Sequence, residues 1–355
     1  GSLTNEFAYG FFPAMANAQV ERFTHQFIIY EDHVLPERFH GKLLGVDVLH
    51  NNVVMSEIIP SGSTFKTKDI ERFIKSDDPW FRPVMITDAP DGSVYIADWY
   101  DKQVNHYRNH EGQMDKKLGR IYRVRNKDFD FNKKIDFTKL DQSELLDQLN
   151  SNSRLNRRTA FHQLKLRFGF DDLTVDWKGN PKNATQVNYL INSGLKINLK
   201  QINDPGVKGY AIRLLSENSG SNEYFDQFNQ ISLNENNKEV ISQLISSLQQ
   251  IEFINRTKLI TNLLLRDDLR LDPCIPLQLW WALEAMVSND DSFLREIFSR
   301  RNIWVSRLVH EEILERLMRR FAAEETVEGY DMCEFLLKNA PTDDAKVKLI
   351  NGFLK

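Results

Sequence analysis

The sequence predicts a mixed architecture, β-rich near its start and all-helical after it. Three observations carry that prediction. Trp80-Phe81-Arg82-Pro83-Val84-Met85-Ile86 and Val94-Tyr95-Ile96-Ala97-Asp98 are β-forming runs joined through Pro90-Asp91-Gly92, and Gly119-Arg120-Ile121-Tyr122-Arg123-Val124 closes the series. Asp-Gly between apolar runs favours a hairpin, because Gly tolerates the positive φ of a tight turn. A similar alternation of strands and turns occupies residues 26–74. From about Asp136 the apolar period changes from two to 3.6. A strand, a tight turn, a second strand, a long polar connection and a closing strand describe one blade of a β-propeller. A lone β-meander in a mixed domain describes the same pattern. The fold class read from the sequence is therefore a partial β-propeller of about two four-stranded blades, followed by an α-helical HEAT- or armadillo-like repeat domain.

Taken in order, residues 1–22 hold Phe7, Tyr9, Phe11, Phe12 and Pro13 around Gly10 and read as an extended segment. The two blades are expected over 23–126. Gln26–Tyr30, Lys42–Val48 and Val53–Ile59 read as strands, with Asn51-Asn52 as a hairpin and Pro60-Ser61-Gly62-Ser63 as a turn. Thr64–Lys66 and Ile70–Ile74 complete the first blade. Residues 127–137 are expected as a linker and 138–355 as the helical domain. There, Ser143–Leu149, Ser151–Leu164 and Asp204–Leu215 show caps followed by apolar positions at helical spacing, with Pro205 suited to a first helical position. Further helices are expected near 237–250, 253–266, 275–288, 304–323, 328–339 and 343–354. The spacing amounts to a degenerate repeat of about 40–55 residues.

Several of these stretches resemble a known family. Phe81-Arg82-Pro83, Pro90–Tyr100 and Gly119–Val124, with Thr24-His25 and Trp280-Trp281-Ala282-Leu283-Glu284, are similar to large bacterial proteins described as membrane-bound or PQQ-dependent dehydrogenases with sugar-dehydrogenase-like propellers. The similarity is sharpest over 77–124. It implies a parent in which a propeller precedes helical repeats, often with a cytochrome c domain. It implies PQQ and Ca²⁺ in that parent, a sugar or glycan ligand, a cytochrome c domain or protein partner, and a periplasmic or cell-surface location. The family's general-base His comes from earlier blades, so no catalytic residue is carried onto this chain. Two blades cannot close a ring, since propellers take about four or more. More blades are expected in the parent, and no cofactor is expected in this chain alone.

Composition excludes some classes. The chain has 355 residues, 41% of them hydrophobic and 27% charged, with a net charge of −4. That balance suits a globular protein and gives nucleic acid no basic surface. No Cys-x-x-Cys-His occurs, so haem c cannot be attached here. No apolar run reaches the length of a membrane span, and no targeting signal is legible. Cys274 and Cys333 read as buried free thiols. The sequence holds no Gly-rich phosphate loop, His-Glu-x-x-His or Gly-x-Ser-x-Gly.

The candidate binding residues follow from strand geometry. Adjacent strands of a blade run antiparallel, so the loop before the innermost strand and the loop after the second lie at one end. His25 and Arg82 precede predicted innermost strands. Asp98, Tyr100 and Asp101 end a predicted second strand, and His106 lies in the next loop. Imidazole, guanidinium and carboxylates at one end suit an anionic cofactor, a sugar or Ca²⁺. Equally, Arg82 and Asp98 suit a structural pair joining blades, and Trp99 and Tyr100 suit core packing. His40, His50, His162 and His310 are scattered. Arg316, Arg319 and Arg320 read as a solvated stripe that complements the helix dipole, and Trp280-Trp281 reads as core. Two functions fit: the C-terminal part of a sugar- or alcohol-oxidising quinone enzyme, inactive alone, or a non-catalytic module whose helical surface binds protein or glycan.

Overall fold

The structure is a computed structural model, and it describes residues 7–13, 26–102, 117–128, 135–169, 179–217, 223–287 and 291–355. Seven strands come first: β1 (Phe27–Ile29), β2 (Leu43–Asp47), β3 (Asn52–Ser61), β4 (Thr64–Lys75), β5 (Pro83–Asp88), β6 (Val94–Asp98) and β7 (Arg120–Val124). The helices follow: α1 (Gln142–Gln148), α2 (Arg154–Phe168), α3 (Ala184–Asn192), α4 (Pro205–Glu217), α5 (Phe225–Asn234), α6 (Lys238–Ser247), α7 (Phe253–Leu264), α8 (Ile275–Val287), α9 (Ser292–Phe298), α10 (Arg301–Trp304), α11 (Leu314–Ala322), α12 (Val327–Asn339) and α13 (Asp343–Phe353). Among the described residues no strand follows β7, so the change from β to α is as the sequence predicts.

The chain divides into two compact units, one of Met15–Ser61 and Phe65–Lys178, the other of Gly1–Ala14, Gly62–Thr64 and Gly179–Lys355. In the first, β1-β2-β3-β4 form one antiparallel meander and β5-β6-β7 a second. The second sheet thus has three described strands where four were expected. Asn51 takes φ +59° at the β2–β3 turn, and β3 continues through Pro60-Ser61, so the next reversal comes one step later than the sequence suggested. Edge strand β4 carries Lys66, Lys68, Asp69, Glu71, Arg72 and Lys75, charges that discourage pairing with another chain.

The two sheets share one core. Ile28, Leu44, Val46, Val53 and Met55 face Ile86, Val94 and Ile96. The packing is fastened by buried Tyr30, which follows β1. Its hydroxyl donates to the Gly92 carbonyl across the sheets (2.7 Å) and accepts from the Leu35 N–H (3.0 Å). Gly92 has φ +72°, and a Cβ there would lie 2.3 Å from Val34 Cγ2, so the β5–β6 turn requires glycine.

Helices α1 and α2 cluster with the sheets, in the unit that includes Phe65–Lys178. The cause is long-range pairing. Arg157 binds Glu31 and the carbonyls of Ser151 and Asn152, and Arg154 lies 3.8 Å from Asp88. Asp32, raised by burial, is restrained by a hydrogen bond to Ser153.

In the second unit α4 packs on α6, α6 on α8, and α5 on α7. The helices start where side chains satisfy their first N–H groups: Asn183 for α3, Asp204 before Pro205 for α4, Asn237 for α6, Thr326 for α12 and Thr342 for α13. Helix α8 is buried along most of its length and forms the centre of this unit. Residues 1–22 were expected as an extended segment, and the described part of it forms neither helix nor strand. That part, 7–13, belongs to this unit.

Burial pushes the Tyr30 phenol up to about 12, above the unfolded value near 10. Its stabilising effect is complete below pH 10 and is lost as pH rises from about 10 to about 12, by on the order of 2–3 kcal/mol. Denaturant titration of Tyr30→Phe should show a loss of roughly 1–3 kcal/mol at neutral pH. The variant should also lack that alkaline fall.

Candidate functional site

Residues from both sheets meet at the start of β5. Strand register sets Pro83 opposite Asp98, which brings Arg82, Asp98 and Asp101 to one end of the second sheet. All three are buried, at 7%, 5% and 1% exposure. The Asp98 carboxylate does not bind the guanidinium. Its Oδ1 accepts the backbone N–H of Arg82 (2.8 Å) and of Tyr100 (2.9 Å). Tyr100 adopts φ +54°, and that second bond holds it there. The Arg82 guanidinium donates to Asn51 Oδ1, to the Phe81 carbonyl (2.8 Å) and to the Lys102 carbonyl (2.6 Å). Burial pushes it below the usual arginine range, while Asp101, Asp98 and Asp78 pull it back. Arg82 Nε and Asp98 Oδ2 are buried without a hydrogen-bond partner.

Chemically this is a brace. Asn51 belongs to the first sheet and Arg82 to the second, so the guanidinium ties the sheets at the start of β5. Tyr30 and Gly92 tie them beyond the end of the same strand. Of the sequence-predicted residues, the structure brings together Arg82, Asp98 and Asp101. Tyr100 is half-buried beside them, against Trp80 and under Arg120 (4.6 Å). His25 and His106 lie outside the described residues. Trp99 is largely exposed, not core. The member that sequence reading missed is Asn51, whose signal was only that of a turn.

Two of the scattered histidines serve local bonds. His40 meets the Leu35 carbonyl (2.8 Å), and His50 meets the buried carboxylate of Asp47 (2.8 Å). Among the described residues no group of three metal-ligating side chains occurs, and no helix is long and apolar enough to cross a membrane. Cys333 is buried, with its thiol pushed up to about 11 by burial, and Cys274 is half-buried; both are free.

The arginine stripe differs from expectation. Arg320 is buried, and binds Glu284 (3.3 Å) and Glu324 (2.6 Å). Its guanidinium lies 3.7 Å from the Phe7 ring centroid, and that of Arg319 4.2 Å from the Tyr9 ring. The stripe looked solvated because the residues that cover it are some 300 positions away in sequence. Trp280 is core, as expected, but its indole and that of Trp281 also bind main chain of the 7–13 segment.

Two open clefts lie in the helical unit. One, of about 580 Å³, is lined by Asn198, Lys208, Asp226, Gln227, Gln230 and Asn234. The other, of about 780 Å³, is lined by Phe225, Phe253, Ile254, Lys258, Phe293 and Arg300.

A family described as a domain of unknown function, DUF7133, matches residues 5–128. That span covers the strands and the docked aromatic segment. No curated protein and no solved structure matches the chain.

If the Arg82 end is a brace, Asp98→Ala strands two buried N–H groups. It should cost roughly 2–4 kcal/mol in denaturant titration, while Asp98→Asn, which keeps the acceptor, should cost less. A loss below about 0.5 kcal/mol for the alanine variant would fit an open ligand site instead.

Proposed function

We propose that this chain is the C-terminal portion of a sugar- or alcohol-oxidising, quinone-dependent propeller protein, and that it supplies framework and recognition surface, not reacting groups. The observation that carries this reading is the pair of outward sheet faces. Register puts Phe27 and Ile29 on the face of the first sheet turned away from the shared core, and Met85 and Ile121 on the corresponding face of the second. All four are exposed, Met85 at 50% and Ile121 at 74%. A blade inside a propeller buries both faces against its neighbours, so apolar side chains on both outer faces suit blades that continue a ring. The helix-on-helix order α4, α6, α8 suits a HEAT- or armadillo-like stack.

The described residues at the Arg82 end do not fit a quinone or its Ca²⁺. The terminal nitrogens of Arg82 are spent on carbonyls and on Asn51, and Asp98 Oδ1 is spent on backbone N–H groups. The oxidising chemistry is assigned to other blades of the parent.

The second reading, a glycan- or protein-binding module, is favoured by the cleft at Phe225, Phe253 and Phe293. There, aromatic faces stand beside Asn255, Lys258 and Glu296, a mixture that suits a ligand with both apolar and hydroxyl surfaces.

Supplied with PQQ and Ca²⁺, this chain should reduce no dye above background with any aldose or primary alcohol, whereas the complete gene product should. Dye reduction by the chain alone would overturn the assignment of roles. A complete product that neither reduces dye nor binds PQQ would overturn the enzyme reading and leave the binding module.

A further inference from the structure

We propose that the groove between α8 and α11 is a peptide-binding site and that the aromatic segment of residues 7–13 is its tethered, displaceable ligand. The inference is independent of the propeller reading.

The segment forms neither helix nor strand. The groove reads its backbone as a receptor reads an extended peptide. Trp280 Nε1 donates to the Phe7 carbonyl (2.9 Å) and Trp281 Nε1 to the Ala8 carbonyl (2.8 Å). Arg316 Nε reaches the Tyr9 carbonyl (3.4 Å). Three consecutive carbonyls thus take donors from side chains of two helices. Such main-chain recognition gives affinity, and side-chain pockets give selectivity.

The side-chain contacts are specific. The Tyr9 ring stacks on Trp280, with centroids 6.0 Å apart at 18°, and takes Arg319 over its ring. The Phe7 ring sits under Arg320, whose charge is fixed by buried Glu284. A desolvated guanidinium over an aromatic face is among the stronger cation–π arrangements. Phe12 packs on Trp281 at 4.7 Å. Ala8 is buried, and a Cβ on Gly10 would lie 2.9 Å from Leu277 Cδ1. The groove therefore selects aromatic, small, aromatic, glycine, with a further aromatic two residues on. Two of the arginines that hold this ligand are anchored within the helical unit, Arg316 by Glu312 and Arg320 by Glu284 and Glu324. The recognition surface is thus organised by its own helices.

The test uses the full chain and a fluorescein-labelled peptide of residues 1–14. In the wild-type chain the tethered segment competes at high effective concentration. Weakening it with Phe7→Ala and Tyr9→Ala together should raise affinity for the labelled peptide at least tenfold. Gly10→Val in the chain should do the same with every groove residue intact. Gly10→Val in the peptide should lower its affinity at least tenfold. Equal peptide affinity for wild-type and weakened chains would overturn the proposal. So would loss of the helical circular dichroism signal in both chain variants, because the segment would then be part of the core and not a ligand.

Discussion

The first unit depends on a buried guanidinium that has no direct carboxylate bond. Removing Arg82 from water is costly unless its donors are satisfied, and the structure pairs both terminal nitrogens with Asn51 and two main-chain carbonyls, leaving only Nε without a partner. The nearby carboxylates of Asp98 and Asp101 keep the charge tolerable without closing on it. Because the acceptors come from both sheets, satisfying the arginine sets the relative position of the β2–β3 turn and β5. The buried phenol of Tyr30 does the same at the other end of the packing. Two polar ties with an apolar core between them specify one alignment, which apolar contact alone leaves free to slide.

This explains why a cluster with the composition of a ligand site acts as framework. Imidazole, guanidinium and carboxylate near one strand end is a pattern shared by sites and by joints. What separates them is where the donors go. Here they go to carbonyls and backbone N–H groups, and the residues are almost wholly buried. The helical unit shows the reverse. Arginines that looked like a solvated stripe form one wall of a groove filled by the chain's own aromatic segment.

The legible part of the fold was local. Period, hairpin chemistry at Asn51 and Gly92, and the placement of Pro205 at the head of α4 depend on near neighbours in sequence, and each agrees with the structure. The illegible part was long-range. Nothing near Arg157 announces Glu31, and nothing near Arg320 announces Phe7, since those partners lie 126 and 313 positions away. The neighbourhood of Arg82 and Asp98 was legible, because antiparallel pairing does bring them to one end. Their role was not, since Asn51 carried only the signal of a turn.

The central claim is that Arg82 holds the two sheets together through Asn51. A double-mutant cycle measures that tie directly. Arg82→Met keeps the apolar stem, and Asn51→Gly removes the acceptor while tolerating φ +59°. In denaturant titrations the account predicts a coupling on the order of 1–3 kcal/mol between the two changes. Additive effects, with a coupling below about 0.5 kcal/mol, would contradict it and return the Arg82 end to the status of a ligand site.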